Sequence, residues 1–205
     1  MTLLPSSLSR LLPLCALLLG AVAGPVQAEK ADRLKKMEVE SDLPGKVDLA
    51  NQIVVFNGNV VVTKGTMVIR ADRIEVRESP EGYQYATASG SGKLAFFRTK
   101  RDNVNEFVEG EAERLEYDGK ADTVRFINRA SVKRLRGTAV ADEVTGALIT
   151  YDNTAELFTV AGGSSAATPT NPTGRVRAVF TPREGTPAAA EAASAASAAA
   201  TGNPR

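Results

Sequence analysis

The sequence contains no histidine and no tryptophan, and its only cysteine is Cys15. Imidazole and thiolate groups supply most general bases and most zinc ligands in proteins. The charges also lack a surplus of either sign, with 25 Lys and Arg residues against 24 Asp and Glu residues, whereas nucleic-acid binding requires a clear basic excess. The composition therefore argues against zinc-dependent, thiol-dependent and nucleic-acid-binding functions.

Residues 1–28 are organised like a secretory signal peptide. Arg10 precedes an apolar run over residues 11–24, which is short for a membrane span, because a bilayer takes about 20 apolar residues. We expect cleavage after Ala28 or, as an alternative, after Ala23, and an uncleaved membrane anchor is the other reading. Cleavage removes Cys15, so the exported chain would depend on its core and its sheet hydrogen bonds rather than on disulfides.

Apolar residues recur at every second position from about Met37 to Val160. This period of two is typical of strands with one buried face. Turn signals interrupt the pattern at Asn57-Gly58 (a hairpin signal), Lys64-Gly65, residues 79–82, residues 89–92, Asp118-Gly119 and Asp152-Asn153. Such regular spacing of turn signals predicts an all-β sandwich or barrel. The same region has no convincing helical stripe.

One short strand sequence occurs in two similar copies, ADRIEV at residues 71–76 and AERLEY at residues 112–117. A second pair, YDGKAD at residues 117–122 and YDNTAE at residues 151–156, is followed each time by an apolar strand. Each unit is a strand, a turn and a strand, and such units must stack on neighbours to bury their apolar faces. The charges between the apolar positions are expected to face solvent.

The composition changes near the carboxy terminus. Residues 162–174 are a low-complexity insertion, residues 175–182 resume the alternation as one last strand, and residues 183–205 form a tail rich in Ala and Pro. The tail has too few bulky side chains to pack and is predicted to be disordered. The predicted organisation is therefore a β-domain over residues 29–182, between the signal peptide and a disordered tail.

Two patterns suggest chemistry but do not support it. SGSGK at residues 89–93 looks like a phosphate loop, yet Thr87 and Leu94 stand where that motif requires Gly and Ser or Thr. Glu111 and Glu113 are candidates for the acid pair of a carbohydrate-active enzyme, but the alternation places them on the solvent side of a strand. The chain is therefore predicted not to be an enzyme.

The apolar positions of the alternation define one continuous inner face. Its members are Val54, Phe56, Val60, Val62, Met67, Ile69, Ile74, Val76, Phe97, Leu115, Tyr117, Val124 and Phe126. Two interpretations are open: a packed structural core, which is the usual place for such residues, or a hydrophobic trough that accepts acyl chains. Aromatic residues make up only 5% of the chain, so a narrow sheet stack is expected to have little to fill its middle.

Four segments resemble a known family: residues 56–76, 90–97, 108–118 and 175–182. Over about residues 37–182 the chain resembles the OstA-like (LptA) family, and most closely its free periplasmic members. The insertion and the tail depart from the family pattern. The resemblance implies an all-β fold, a long twisted β-jellyroll of about sixteen short antiparallel strands that is open at both ends.

The resemblance also implies a function in outer-membrane assembly. Family members carry lipopolysaccharide across the periplasm, from an ATP-driven extractor with an inner-membrane LptC-type protein to an outer-membrane LptD-type translocon, as copies stacked head to tail. The implied partners are lipopolysaccharide (through its lipid A acyl chains), other copies of the chain and these membrane proteins, and no cofactor is implied. The alternatives are a membrane-anchored LptC-type paralogue and a structural β-repeat protein without lipid cargo.

The resemblance places four side chains where the acyl chains pass: Met37, Val39, Phe97 and Tyr117. The rest of the inner face extends this site, and Phe96 is an alternative to Phe97 as the inward residue. The terminal strands of an open jellyroll leave unpaired backbone groups, to which partner strands can add. We therefore expect docking edges at residues 37–40 and 175–181.

Overall fold

The computed structural model describes residues 32–102, 104–169 and 171–201, and the predicted signal peptide lies outside these described residues. They form twelve β-strands and one α-helix: β1 (Met37–Glu40), β2 (Lys46–Asp48), β3 (Ile53–Lys64), β4 (Met67–Glu78), β5 (Gln84–Ser89), β6 (Ala95–Lys100), β7 (Glu106–Ala112), β8 (Arg114–Asp118), β9 (Thr123–Arg136), β10 (Ala139–Asp152), β11 (Leu157–Ala161), β12 (Arg177–Phe180) and α1 (Pro187–Thr201). Within these ranges, no helix has the length and apolarity needed to cross a bilayer.

The strands pair antiparallel in one sheet that folds over into two halves. The first half has the order β1-β3-β4-β6-β7-β9-β10-β12, and the second half has the order β2-β3-β4-β5-β8-β9-β10-β11. The long strands β3, β4, β9 and β10 belong to both halves, because each pairs with different neighbours at its two ends. When each of these four strands is counted once in each half, the twelve described strands give sixteen strand segments. The predicted all-β open jellyroll is therefore confirmed.

The long strands bend where they pass from one half to the other. In β3 the register shifts between Asn57 and Val60, and Gly58 and Asn59 have positive φ angles of 76° and 47°. Gly and Asn adopt such angles most readily, so this segment forms a β-bulge inside a continuous strand. The predicted hairpin turn at Asn57-Gly58 is therefore wrong. A turn and a bulge use the same left-handed backbone, and only the neighbouring strand decides between them.

Bends and turns lie on opposite sides of the folded sheet. β10 bends at a second register shift, between Gly146 and Leu148. The turns β3–β4, β6–β7 and β9–β10 close the first half, and the turns β4–β5, β8–β9 and β10–β11 close the second. We call the side with the bends the bend line. The opposite side, where the turns of the first half meet those of the second half, is called the open edge. Continuous backbone joins the halves along the bend line.

The two copies of the repeated strand flank the same neighbour. ADRIEV lies in β4, AERLEY ends in β8, and both strands pair with β5. Ile74 and Leu115 pair with Ala88 from opposite sides, so equivalent positions of the repeat recur along the inner face with a small residue between them. The charged positions of both copies lie on the outer face, where they form ion pairs such as Arg114 with Glu116.

The inner faces of the two halves pack into one hydrophobic core. The rings of Phe97 in β6 and Phe126 in β9 meet edge-on, with centroids 5.6 Å apart and planes at 84°. Phe97 lies in the first half of the sheet. Phe126 lies on the part of β9 that pairs with β8 in the second half, so this contact joins the two halves. Edge-to-face aromatic pairs stabilise by about 0.5–1.5 kcal/mol beyond the area that they bury.

The carboxy-terminal segments pack or project in different ways. In the insertion, Ser164–Ala166 forms a 3₁₀ turn against β9 and β10, with Ala166 buried. The last strand, β12, pairs with β10. The tail contains α1, where the sequence predicted disorder, and its described side chains are almost all exposed. Alanine has the highest intrinsic helix propensity, so a helix forms here without an apolar face to bury.

Candidate functional site

A cavity of about 250 Å³ opens at the carboxy-terminal end of the folded sheet. We call it the carboxy-terminal cavity, and its apolar wall consists of Val108, Val132, Val144, Tyr151, Phe158 and Phe180. The rings of Tyr151 and Phe158 stack with centroids 4.6 Å apart. Arg101 and Arg134 line the same space. The cavity therefore combines an apolar wall with charged groups, as a site for an amphiphile would.

A second cavity, of about 220 Å³, lies at the opposite end, between β1, β2, β3 and β4. Four residues of the predicted lipid site line this amino-terminal cavity: Met37, Val39, Val54 and Val76. Val47 and Leu49 line it as well and are 57% and 81% exposed. Large exposed apolar side chains beside a cavity are typical of an interaction surface.

Between the two cavities, side chains fill the inner face. Ten predicted inner-face residues are buried here: Val60, Val62, Met67, Ile69, Ile74, Phe97, Leu115, Tyr117, Val124 and Phe126. Phe56 packs against the same cluster. The space left beside Met67, Phe97 and Tyr117 is about 10 Å³, about the room that one water needs. The expectation that little would fill the middle is wrong, because the rings of Phe97, Tyr117 and Phe126 pack there among the aliphatic side chains.

Phe97, and not Phe96, is the inward residue of β6. Phe97 is 1% exposed, whereas the ring of Phe96 faces outward, 5.5 Å from the guanidinium carbon of Arg70. Glu111 and Glu113 are exposed, as the alternation predicted. The inner face in this region is lined mainly by apolar groups, with Lys64, Thr99 and Asp122 buried beside them, and Glu111 and Glu113 lie outside it.

Polar side chains connect the two halves along the open edge. Lys64, at the end of β3, donates a hydrogen bond to Oε1 of Gln84, at the start of β5, over 2.9 Å. Arg101, just after β6, forms an ion pair with Glu156 in the β10–β11 turn. Burial lowers the pKa of the Lys64 ammonium below its usual value, and the negative charge of Asp122 opposes that shift only in part.

An ionic network stands beside the carboxy-terminal cavity. Glu106 in β7 accepts hydrogen bonds from Arg101, Arg134 and Arg136, and Arg134 also pairs with Asp142. Burial alone would raise the pKa of Glu106, but the hydrogen bonds from the arginines outweigh it, so this pKa lies below its usual value. The network satisfies the charges next to the apolar wall.

Strand edges are free at both ends of the folded sheet. Among the described strands, β1 and β2 pair only with β3, and β11 and β12 pair only with β10. All four residues of β12 are exposed, and Phe180 is 74% exposed. Unpaired edges of this kind are templates for pairing with another chain. Each cavity therefore lies beside an edge to which a further strand can add.

The amino-acid sequence of the folded sheet matches a known family. Residues 38–157 match the model of the LptA/(LptD N-terminal domain) LPS transport protein family, a segment that runs from β1 to the start of β11. The chain belongs to this family. The two cavities, the filled middle and the open edge are thus features of an LptA/LptD N-terminal-type domain.

Two relatives agree with this family assignment, and a solved structure shares the fold. The lipopolysaccharide export system protein LptA of Escherichia coli K12 is 33% identical over 126 residues, which cover 61% of this chain and 66% of that protein, just under two thirds. LptA of Haemophilus influenzae is 29% identical over 107 residues, covering 52% and 59%. The crystal structure of LptH from Pseudomonas aeruginosa, described as the LptA-homologous periplasmic component of the lipopolysaccharide transport device, has a TM-score of 0.63 at 22% identity, covers 74% of this chain and 99% of that one, and shares the fold.

Some residues of this candidate site escaped the sequence analysis. Val132 and Val144 continue the alternation beyond the predicted inner face, so the same period of two could have identified them. The sequence analysis assigned Lys64 to a turn because Gly65 follows it. Lys64 lies two positions after Val62 on the same strand, so its side chain points inward as that of Val62 does. Arg101 follows a strand as part of a loop, and no local pattern marks it.

Proposed function

We propose that this chain is a periplasmic lipopolysaccharide carrier in the transport bridge of its family. In this proposal the acyl chains of lipid A lie between the two halves of the folded sheet. The lipid moves from the inner to the outer membrane through copies stacked head to tail, and the chain supplies no chemical step. Membership of the family and the likeness to the LptA proteins support this cargo and this pathway.

The proposal is carried by the two apolar cavities at opposite ends of the inner face, each beside a free strand edge. Burial of apolar area stabilises by about 25 cal/mol per Å², so an acyl chain favours such cavities over water. Pairing of free edges by β-augmentation would place the carboxy-terminal cavity of one copy against the amino-terminal cavity of the next. The result is an apolar path longer than one molecule.

Transport in this form requires the two halves to separate. The cavities of about 250 and 220 Å³ are smaller than the roughly 300–1,000 Å³ of ordinary ligand pockets, and side chains fill the space between them. Continuous backbone holds the bend line, whereas side-chain contacts such as that of Lys64 with Gln84 hold the open edge. Separation at the open edge breaks fewer strong connections, so we infer that lipid enters from that side.

The proposal includes a location and protein partners. The signal peptide, residues 1–28, would direct the chain to the periplasm and would be removed after Ala28. The free edges at the two ends would dock other copies of the chain, an inner-membrane LptC-type protein and an outer-membrane LptD-type translocon. Edge pairing suits such a chain of contacts, because main-chain hydrogen bonds form between any two compatible strands.

A photo-crosslinking experiment with matched positions tests the cargo. A benzophenone amino acid at Phe97 faces the interior, and the same residue at Phe96 faces outward one position earlier on β6. In cells that export lipopolysaccharide, we expect a lipopolysaccharide adduct from Phe97 and none from Phe96. Tyr117 and Glu116 repeat the comparison on β8. Equal adducts from inward and outward positions, or no adduct from either, would contradict the proposal.

The filled middle favours one other candidate, a structural β-repeat protein without cargo. Such a protein would assemble through its edges but would give no lipid adduct from Phe97, Tyr117 or Phe56. A membrane-anchored LptC-type paralogue, by contrast, would give the adduct and retain residues 1–28. Mass spectrometry of the amino terminus of the exported chain separates this paralogue from the free bridge.

A further inference from the structure

Lys64 is a buried cation on the inner face of the folded sheet. It ends β3, two positions after Val62, and only 4% of its surface is exposed. Met67, Phe97 and Tyr117 surround the same small central space. A buried ammonium is costly unless an anion pairs with it, so its surroundings should contain a carboxylate or should be built to receive an anion.

Asp32 and Asp122 line the same space, but within the described residues neither forms an ion pair with Lys64, and Asp32 instead binds Thr66 and Lys35. Its Nζ donates one hydrogen bond, to Oε1 of Gln84 at 2.9 Å, and lies 5.6 Å from the centroid of the Tyr117 ring. Asp122 acts on Lys64 only through its charge at longer range, and Oδ2 of Asp122 accepts a hydrogen bond from Asn153 at 2.9 Å. An ammonium has three donors, so Lys64 has donor capacity left for an anion.

The arginines near the interior differ from Lys64 because they form ion pairs with carboxylates. Arg101 forms ion pairs with Glu106 and Glu156, and Arg134 forms ion pairs with Glu106 and Asp142. Their charges are compensated by carboxylates of the protein. Lys64 has a neutral amide in the corresponding place.

Lys64 also stands at the open edge, where the headgroup of a lipid must emerge if its acyl chains lie between the halves. Its hydrogen bond to Gln84 runs from the first half to the second, so separation of the halves breaks that bond and frees the ammonium. We propose that Lys64 binds a phosphate of the lipid headgroup at the open edge, and that Gln84 holds the ammonium in the empty protein. This inference rests on the proposed function and adds a headgroup contact to it.

The chemistry favours phosphate as the acceptor. The lipid A part of lipopolysaccharide carries phosphates on its sugars, directly beside the acyl chains. A phosphate oxygen carries negative charge, so its hydrogen bond with an ammonium adds an ionic attraction that the neutral Gln84 amide cannot supply. Exchange of the Gln84 amide for phosphate is therefore favourable, and it also neutralises a buried charge that the empty protein leaves poorly compensated.

Binding of three lipids to the purified, exported full chain tests the inference: diphosphoryl, monophosphoryl and fully dephosphorylated lipid A, at one ionic strength because salt screens exposed charges. We expect wild-type protein to bind the diphosphoryl form about tenfold more tightly than the dephosphorylated form, a factor that corresponds to about 1.4 kcal/mol. Lys64→Met should lose most of this preference and should bind the dephosphorylated form at least as tightly as wild type does, because no hydrogen bond to Gln84 has to break. Lys133→Met, the same substitution at an outer-face lysine that pairs with Glu143 at 3.7 Å, should keep the preference.

Gln84→Ala tests the inference in the opposite direction. Without the amide, Lys64 is free in the empty protein, so less binding free energy is spent on breaking a hydrogen bond. All three lipids should therefore bind more tightly than they bind wild type, by a similar factor, and the preference for diphosphoryl lipid A should be kept. Thermal unfolding of each variant will show whether it folds, and if Lys64→Met does not, Lys64→Gln takes its place with the same expected loss of preference.

Three results would overturn the inference: an unchanged preference in Lys64→Met, an equal weakening for all three lipids in that variant, or no tighter binding by Gln84→Ala than by wild type. The first two would make Lys64 a structural residue that acts with Asp122. A failure of wild-type protein to bind any of the three lipids would instead contradict the proposed function. The two failures are thus distinguishable in one set of measurements.

Discussion

Phe97 is the side chain whose removal tests most directly how the middle of the molecule is filled. It is 1% exposed and meets the ring of Phe126 edge-on at 5.6 Å. Truncation of a buried Phe to Ala costs about 3–5 kcal/mol, from the lost transfer free energy and from the cavity left behind. The edge-to-face contact is worth a further share of about 0.5–1.5 kcal/mol. We therefore expect Phe97→Ala to fall in the upper part of that range, at about 4–5 kcal/mol.

Phe96→Ala is the matched control, since it makes the same change one position earlier on the outer face of β6. Its ring faces the Arg70 guanidinium at 5.5 Å, and a cation–π contact at an exposed site contributes about 0.5–1 kcal/mol. We expect Phe96→Ala to cost about 1 kcal/mol, several-fold less than Phe97→Ala. The difference between the two variants isolates burial from the chemistry of the substitution.

The assay is urea unfolding followed by far-ultraviolet circular dichroism, because the chain contains no tryptophan. The free energy of unfolding is obtained by linear extrapolation, and equal slopes for the variants indicate comparable unfolded states. Lipid A should return part of the stability lost by Phe97→Ala, since a ligand that binds only the folded state stabilises it. A cost below about 2 kcal/mol, or equal costs for both variants, would refute the conclusion that aromatic rings fill the middle.

Other perturbations test the ionic network, the core and the edges. Glu106→Gln should lower the free energy of unfolding at neutral pH by about 1–3 kcal/mol, because partly buried arginines lose their charged acceptor. The pKa of Glu106 lies below its ordinary value of 4.5, so the stability that Glu106 contributes is present above pH 4.5 and is lost as the pH falls through the folded-state pKa. Wild type and variant should therefore have the same free energy of unfolding in urea below that pKa. A difference that stays constant with pH would argue against the ionic role. Gly110→Ala should cost about 1–3 kcal/mol, because an added Cβ would lie 2.3 Å from the Phe126 ring; an unchanged thermal midpoint would mean that the ring moves freely. Phe180→Glu should weaken self-association about tenfold or more in analytical ultracentrifugation, because a charge on an edge strand opposes pairing. Val140→Glu, at an exposed position near the β9–β10 turn, should leave self-association unchanged, and equal effects of the two variants would exclude β12 as the docking edge.

Much of the inner face could be predicted from alternation. Ile74, Leu115 and Tyr117 face inward because a pleated strand points successive side chains to opposite faces, and the same rule places the charges of both ADRIEV and AERLEY outside. The rule did not decide between Phe96 and Phe97, since both are aromatic and either phase of β6 would bury one ring. The pairing of β6 with β4 and β7 fixes that phase.

The sequence alone determined the properties that depend on neighbours along the chain: the all-β class, the strand segments, the direction of most side chains and the family. Tertiary structure decided whether Asn57-Gly58 would be a turn or a bulge, whether the middle would be open or filled, and what Lys64 would contact. Each of these outcomes depends on a group that arrives from a distant strand, such as the Phe126 ring from β9 or the Gln84 amide from β5. A period of two specifies which face a residue joins, but only the folding of one half onto the other specifies what that face meets.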